Sequence, residues 1–299
     1  MIHLASKTVA AINEAIADDQ GSVFRQKLGE ILPTIKDAYR GNDDPFRSHL
    51  GASVIGSKCD RAIWYGFRWV TKPRFDGRIL RLFNRGHLEE GRFIAMLLAI
   101  NVKFFQQDAN GKQFTVSDAG GHFGGSLDGV AVGIPDLEVT TPCLTEFKTH
   151  NDKSFQKLKR EGVQASKFEH YVQMLVYMKK KQLKVGLYLA VNKNDDEIYG
   201  ELVYLDEIIA DRFIERGKKI VFTEIPPKKL NESPGWFDCK FCNHRNVCHL
   251  NDEVELNCRT CNKSEVLKDG TWCCGQYDQL IPKEVQLTGC TSWIKKVGL

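Results

Sequence analysis

The chain has 299 residues, of which 42% are hydrophobic and 27% charged. Those are the proportions of a folded globular protein rather than a disordered one, and the length suits about two domains. Its longest clean apolar run, Phe93 to Ile100, is eight residues, far short of the ~20 that a membrane span needs. The N-terminal residues do not read as a secretion signal. A cytoplasmic setting, or a host cytoplasm for a viral protein, is therefore expected.

The first fifty residues suggest two helices, Lys7–Asp18 and Val23–Tyr39, then a polar break at Gly41 to Pro45. A further helix is expected from near Ser57. The apolar period from Ile79 to Ile100 predicts a longer one, weakened by Gly86 and Gly91. The period then changes. Residues Phe123–Ile134 and Leu137–Lys148 read as strands joined by turns, with Ser154–Glu161 and Lys167–Lys181 as helices after them. Val185–Asn192 and Ile198–Leu205 read as two more strands, and Asp206 caps a helix to Phe222. This order implies an α/β fold, a mixed sheet flanked by helices. Pro226-Pro227 marks a boundary before a cysteine-rich tail.

Net charge is only +4, but between Lys148 and Lys184 ten Lys or Arg face three Asp or Glu. Such a run is most simply a solvated helical face; a polyanion partner needs chemistry nearby. Three segments supply it: Gly-Ser-Leu-Asp128-Gly, Leu-Thr-Glu146-Phe147-Lys148-Thr, and Tyr171-Val-Gln173-Met-Leu-Val-Tyr177. Glu146 and Lys148 are two apart on a predicted strand and leave the same face. Asp128, on the hairpin before it, brings a second carboxylate beside Glu146. Carboxylate oxygens of this kind bind Mg²⁺ or Mn²⁺. An isolated Glu-x-Lys is usually a surface ion pair; the ordered set is what matters.

That ordered set resembles the PD-(D/E)XK nuclease superfamily, and within it the RecB-like, phage-type exonucleases. The resemblance rests on motif order over roughly residues 52–250. It implies a restriction-endonuclease-like sheet and a metal-dependent deoxyribonuclease, most simply an exonuclease, in recombination, repair or phage DNA metabolism. It assigns Asp128, Glu146, Lys148, Gln173 and Tyr177 to one active site. It also assigns an upstream helical histidine, His87, as a metal ligand beside Asp128, Glu146 and the Phe147 carbonyl, with Glu90 as its substitute or support. Lys153, Lys157, Lys159 and Arg160 are expected to grip DNA phosphates. Whether His150 joins the site stays open.

Ten cysteines without a secretion signal point to metal rather than disulfides. Eight lie at or beyond Cys239. Cys239-Lys-Phe-Cys242 with Cys248 is a three-thiolate cluster, for which Cys59 is the distant fourth. This split arrangement resembles the iron–sulfur RecB-like nucleases and implies a [4Fe–4S] cluster. The alternative is zinc, with His244 or His249 as fourth ligand. In the tail, Cys258, Cys261, Cys274 and Cys290 suggest a zinc ribbon with a hairpin from Val266 to Trp272; Cys273 competes with Cys274. Cys143 reads as core.

Three segments follow from this reading: an N-terminal helical region (1–78), a nuclease core (79–250) and a zinc-ribbon-like tail (251–299). Partners would be DNA and a helicase or single-strand annealing protein, with no membrane. The runner-up functions are a non-catalytic nucleic-acid-binding module and a zinc-ribbon adaptor, both on a nuclease-like scaffold.

Overall fold

The computed structural model describes residues 1–35 and 46–299. The end of the expected second helix and the polar break at 41–45 lie outside the described residues. In chain order come α1 (Ser6–Asp18), α2 (Ser22–Ile31), β1 (Leu50–Gly51), α3 (Asp60–Phe67), α4 (Gly77–Ala99), β2 (Lys103–Phe105) and β3 (Thr115–Asp118). Next are β4 (Phe123–Ser126), β5 (Gly129–Val132), β6 (Pro142–His150), α5 (Asp152–Ser166), α6 (Phe168–Lys181), β7 (Val185–Asn192), β8 (Ile198–Tyr204) and α7 (Glu207–Phe222). Shorter pieces end the chain: α8 (Phe237–Lys240), α9 (Arg245–Leu250), β9 (Ser264–Val266), β10 (Trp272–Cys274), β11 (Gln279–Leu280) and α10 (Lys283–Gln286).

The chain forms two compact units, each built from three stretches: 1–41, 75–116 and 126–211 in the first, 42–74, 117–125 and 212–299 in the second. The first holds a five-stranded mixed sheet in the order β2-β5-β6-β7-β8. Its parallel pair is β6 with β7, Glu146 opposite Tyr188 and Lys148 opposite Ala190. A parallel pair needs a long crossover, and α5 and α6 supply it. The sheet is mixed and flanked by helices, as the pattern of elements implied.

Alternation along β6 and β7 sorts the side chains. Cys143 and Phe147 of β6, with Val185, Leu187, Leu189 and Val191 of β7, pack against Ile12 of α1 and Phe93, Met96 and Leu97 of α4. Phe147 stacks between Phe93 and Phe104, with ring centroids at 5.1 and 5.9 Å. Cys143 is core, as its setting in the sequence suggested, and burial pushes its thiol up to about 12. The opposite face carries Leu144, Glu146, Lys148 and His150 and lies under α6: a side chain at Gly186 would collide with Met174.

Local chemistry sets the helix ends. Asp76 caps α4 through the Ile79 N–H at 2.8 Å, and Asn151 caps α5 through Ser154 at 2.9 Å. Asp136, far off in sequence, accepts from the Lys7 and Thr8 amides and orients α1. Gly91 lets α4 approach Ile35, whose Cγ1 would stand 3.1 Å from an added Cβ. Gly162, at φ +72, kinks α5 just after Glu161, where the expected helix ended.

Two expected strands are shorter than their sequence pattern. Phe123–Ile134 divides at Leu127-Asp128 into β4 and β5, which belong to different sheets, so Asp128 sits in a strand-to-strand crossing instead of a hairpin. Leu137–Thr141 turns on itself, with the Leu137 amide on Ile134 and the Thr141 amide on Glu138, and β6 starts only at Pro142. No helix among the described residues is long and apolar enough to cross a membrane.

Two further sheets are small, β1-β4-β3 and, in the second unit, β11-β10-β9. Arg68 is 1% exposed there, stacked on Trp64 and Trp272, and two of its nitrogens have no hydrogen-bond partner. Burial lowers its pKa to about 10. An apolar side chain of similar length removes that desolvation cost. Arg68→Met is expected to match or exceed wild-type stability in urea unfolding; a loss above ~2 kcal/mol would contradict this account.

Candidate active site

The site lies within the first unit, at the edge of the β6–β7 pair. Gly129 of β5 pairs with Thr145 of β6, which leaves Asp128 one residue beyond the last pair and beside Glu146. The Phe147 N–H donates to Asp128 Oδ2 at 2.9 Å. Lys148 donates to Glu146 Oε1, and Gln173 Nε2 donates to Glu146 Oε2 at 3.2 Å. Asp128, Glu146, Lys148 and Gln173 are therefore one connected cluster. Tyr177, one turn beyond Gln173 on α6, is buried with it.

Electrostatics couple the cluster further. Glu146 is fully buried, and burial pushes its carboxyl up to about 7; Lys148 opposes the shift and Asp128 adds to it. Glu90 of α4 is pushed up to about 8, by burial first and then by Asp128, with Glu146 adding to it and Lys148 opposing. For Lys148, burial works to lower the pKa, but Glu146 and Asp128 outweigh it and the ammonium is held more firmly than usual. Glu90 of α4 is in electrostatic reach of the carboxylates; His87, a turn earlier, is exposed. Among the described residues, no three His, Cys, Asp or Glu side chains already stand in metal-holding geometry.

Three residues join the site that sequence reasoning left out or left open. His150 shares the face of Glu146 and Lys148 on β6. Its Nε2 lies 2.9 Å from the Tyr188 hydroxyl, which is also 2.9 Å from His170 Nδ1. His170 is one helical turn before Gln173. Burial lowers the His150 pKa to about 3 and that of His170 to about 2, with Lys148 and Lys167 adding to both. Both imidazoles are neutral, so the hydroxyl donates to one and accepts from the other. The period-two spacing of 146, 148 and 150 was a legible signal; Tyr188 meets them only through strand pairing.

The expected phosphate-gripping residues are mostly engaged with carboxylates. Lys157 and Arg160 pair with Glu161 at 3.6 and 2.7 Å, and Lys159 pairs with Glu197 at 2.5 Å. Lys153 is exposed. Lys167 and Lys193 face the His150 end of the cluster instead, and neither makes an ion pair within 4 Å among the described residues.

In the second unit, Cys59 caps α3, its Sγ accepting from the Ala62 amide at 3.4 Å. Cys59 acts electrostatically on Cys242 and Cys248, and Cys239 on Cys242. Lys58 and Asp238, neighbours of Cys59 and Cys239, pair at 3.2 Å. Residues 180 positions apart thus meet. His244 lies edge-on to Tyr65, and its Nδ1 is buried without a hydrogen-bond partner. All ten cysteines are unbridged.

No protein-family model and no curated protein matches the chain. Among solved structures, the crystal structure of SSO0001 is similar at 14% identity, over 76% of this chain and 93% of that one, with a TM-score of 0.40. An alkaline exonuclease (LHK-Exo) from Laribacter hongkongensis is similar at 13% identity over 66% and 90%, with a TM-score of 0.42. The same protein in complex with dAMP is similar at 13% over 58% and 86%, also at 0.42. Likenesses this distant say nothing of activity, ligands or site residues.

The two neutral histidines make a signed prediction. Unfolded, each protonates near pH 6.5. Their folded pKa values are depressed, so their stabilisation is present above pH 6.5 and lost as pH falls toward 3, by about 1.4 kcal/mol per pH unit for each. Glu146 and Glu90 have raised pKa values and titrate in the opposite sense, losing stability as pH rises from 4.5 through 7 and 8. Comparison with His150→Gln separates the two. Between pH 7 and pH 5 the variant should gain ~1–2 kcal/mol on the wild type in urea unfolding. An unchanged difference would show that His150 takes up a proton inside the fold.

Proposed function

We propose that the protein is a metal-dependent deoxyribonuclease whose active site is the Asp128–Glu146–Lys148 cluster. The observation that carries this reading is the meeting of three side chains from two stretches: Asp128 accepts from the amide between Glu146 and Lys148, and Lys148 donates to Glu146. Asp128 pushes up the carboxyls of Glu146 and Glu90, and carboxylates crowded in this way are a donor set suited to a hard cation, which relieves their repulsion. Asp128, Glu146 and the Phe147 carbonyl would hold Mg²⁺ or Mn²⁺, with Glu90 or His87 completing the set from α4. When bound, the ion supplies charge neutralisation for a phosphodiester and acidifies water.

The chain's own residues do the rest. Lys148 stays an ammonium at neutral pH, so its role is to orient water and bear developing negative charge, not to remove a proton. Gln173 fixes the rotamer of Glu146 from the helix side. His150, Tyr188 and His170 tie β6, β7 and α6 together behind it. Lys167, Lys193 and Lys153, which make no ion pair within 4 Å among the described residues, offer positive charge to phosphates, and binding is therefore expected to weaken steeply with salt.

The test is a time course on end-labelled linear and circular DNA with Mg²⁺ or Mn²⁺. Wild type should degrade the linear substrate, an exonuclease outcome. Asp128→Ala and Lys148→Ala should each lose roughly 10²–10³-fold or more in rate while retaining DNA binding. Wild-type cleavage by either variant removes the proposed site. Binding without cleavage by the wild type would favour the nucleic-acid-binding scaffold, and a helicase or annealing protein retained only through the tail would favour the adaptor.

The Cys59, Cys239, Cys242 and Cys248 thiols are proposed to hold a [4Fe–4S] cluster that staples distant parts of the chain, four thiolates being the usual ligation. The unpartnered His244 Nδ1 supports zinc as the alternative. Anaerobically purified protein should be brown, absorbing near ~400 nm. Colourless protein with zinc lost on Cys59→Ser or His244→Ala would decide for zinc.

A further inference from the structure

The cysteines of the tail form a second, separate constellation. Cys258 and Cys261 stand at the two ends of one tight turn, closed by the Cys261 amide on the Cys258 carbonyl at 3.1 Å. Cys274 ends β10 and Cys290 follows Gly289. All four line one cavity of about 20 Å³, and Cys258 is within electrostatic reach of the other three. Cys273 is not in that lining; strand alternation turns it away.

Backbone amides already point at the sulfurs. Lys263 N–H donates to Cys261 Sγ at 3.5 Å, and the Gly289 amide donates to Cys258. Gly289 is at φ +65, and a Cβ there would stand 2.3 Å from Leu256. The tight approach that delivers both this amide and Cys290 therefore requires glycine. Four unbridged thiols line this small cavity with amides aimed at two of them, a donor set that suits a thiolate-bound ion once the sulfurs turn inward. The cavity has room for one ion and none for a four-iron cluster.

The turn does more than carry thiols. Arg259, between Cys258 and Cys261, is 2% exposed and runs into the body of the second unit. Its guanidinium lies 3.7 Å over the Trp69 ring and 4.6 Å from Trp272. It donates to the Phe67 carbonyl at 2.9 Å, the Ser48 carbonyl at 2.8 Å and Gln286 Oε1 at 2.8 Å. An ion gripping both ends of a four-residue turn fixes the backbone from which this side chain projects.

We propose that Cys258, Cys261, Cys274 and Cys290 hold a structural Zn²⁺, and that this ion latches Arg259 into its aromatic cage. The sulfurs close on the ion by rotation about their Cα–Cβ bonds, on a turn that is already formed. The role is structural: four thiolates leave no open position for substrate.

The test uses the full chain and the metals alone. Zinc measured by elemental analysis should fall by one equivalent in Cys258→Ser and in Cys290→Ser. Co²⁺-loaded protein should show the visible bands of a tetrathiolate, lost in Cys274→Ser and kept in Cys273→Ser. Should Cys258→Ser not fold, the cobalt spectra of the wild type and Cys273→Ser still decide. Unchanged zinc in all variants, a spectrum without four-sulfur character, or a Cys258–Cys290 disulfide in freshly purified protein overturns the site. Zinc removal should raise hydrogen exchange across residues 48–69 several-fold; unchanged exchange there overturns the latch. None of these readouts uses DNA cleavage, so the zinc site and the nuclease reading can fail independently.

Discussion

The desolvated carboxylate of Glu146 is the constraint around which the first unit is organised. A carboxylate taken fully out of water needs partners on each oxygen, and here Lys148 serves one and Gln173 the other. Lys148 comes from the same strand at a spacing of two, Gln173 from the helix that returns over the sheet. The pair β6 and β7 runs parallel because α5 and α6 carry the chain back across that face. The crossover that satisfies the topology thus also brings α6 over the carboxylate. The opposite face of the same strands is mostly apolar, Thr145 and Thr149 apart, so one strand serves core and site by alternation.

The same logic explains the layer behind the cluster. His150 extends the β6 stripe, Tyr188 lies beside it on β7, and His170 reaches down from α6. Each hydrogen-bonding group in this layer finds its partner on a different element. Burial and the surrounding lysines keep both imidazoles neutral. The positive charge of the site is therefore carried by lysines, Lys148 held most firmly, while the Glu146 and Glu90 carboxyls are pushed up to about 7 and about 8. Cation binding and proton loss are coupled wherever such carboxylates serve as ligands.

The second unit solves a different problem. Its strands are of two to four residues and its helices past residue 223 of four to six, too little regular structure to bury a large continuous core. Stacked tryptophans, two buried arginines and thiol clusters take that place. Arg259 satisfies its donors with backbone carbonyls and aromatic faces, whereas Arg68 leaves two nitrogens unpartnered. Burial of similar side chains in one unit therefore has opposite consequences, set by hydrogen bonding alone.

Short-range pattern carried a good deal of this. The helices α1, α4, α6 and α7 and the strands β7 and β8 follow from period and capping, and Glu146 and Lys148 share a face because strand geometry demands it. The spacing of Cys258 and Cys261 marked the pair as candidate ligands of one ion. What the sequence could not decide was everything that depends on strand pairing and long-range approach. It did not decide that Asp128 sits one residue before β5 beside Glu146, that Glu90 of α4 is coupled to the carboxylates, or that Cys274 rather than Cys273 lines the tail cavity. Nor could it show that His150 and His170 share one tyrosine. Periodicity and spacing report the orientation of side chains relative to their own element. Which elements become neighbours is set by the burial of whole faces against one another, and that exists only once the chain has folded.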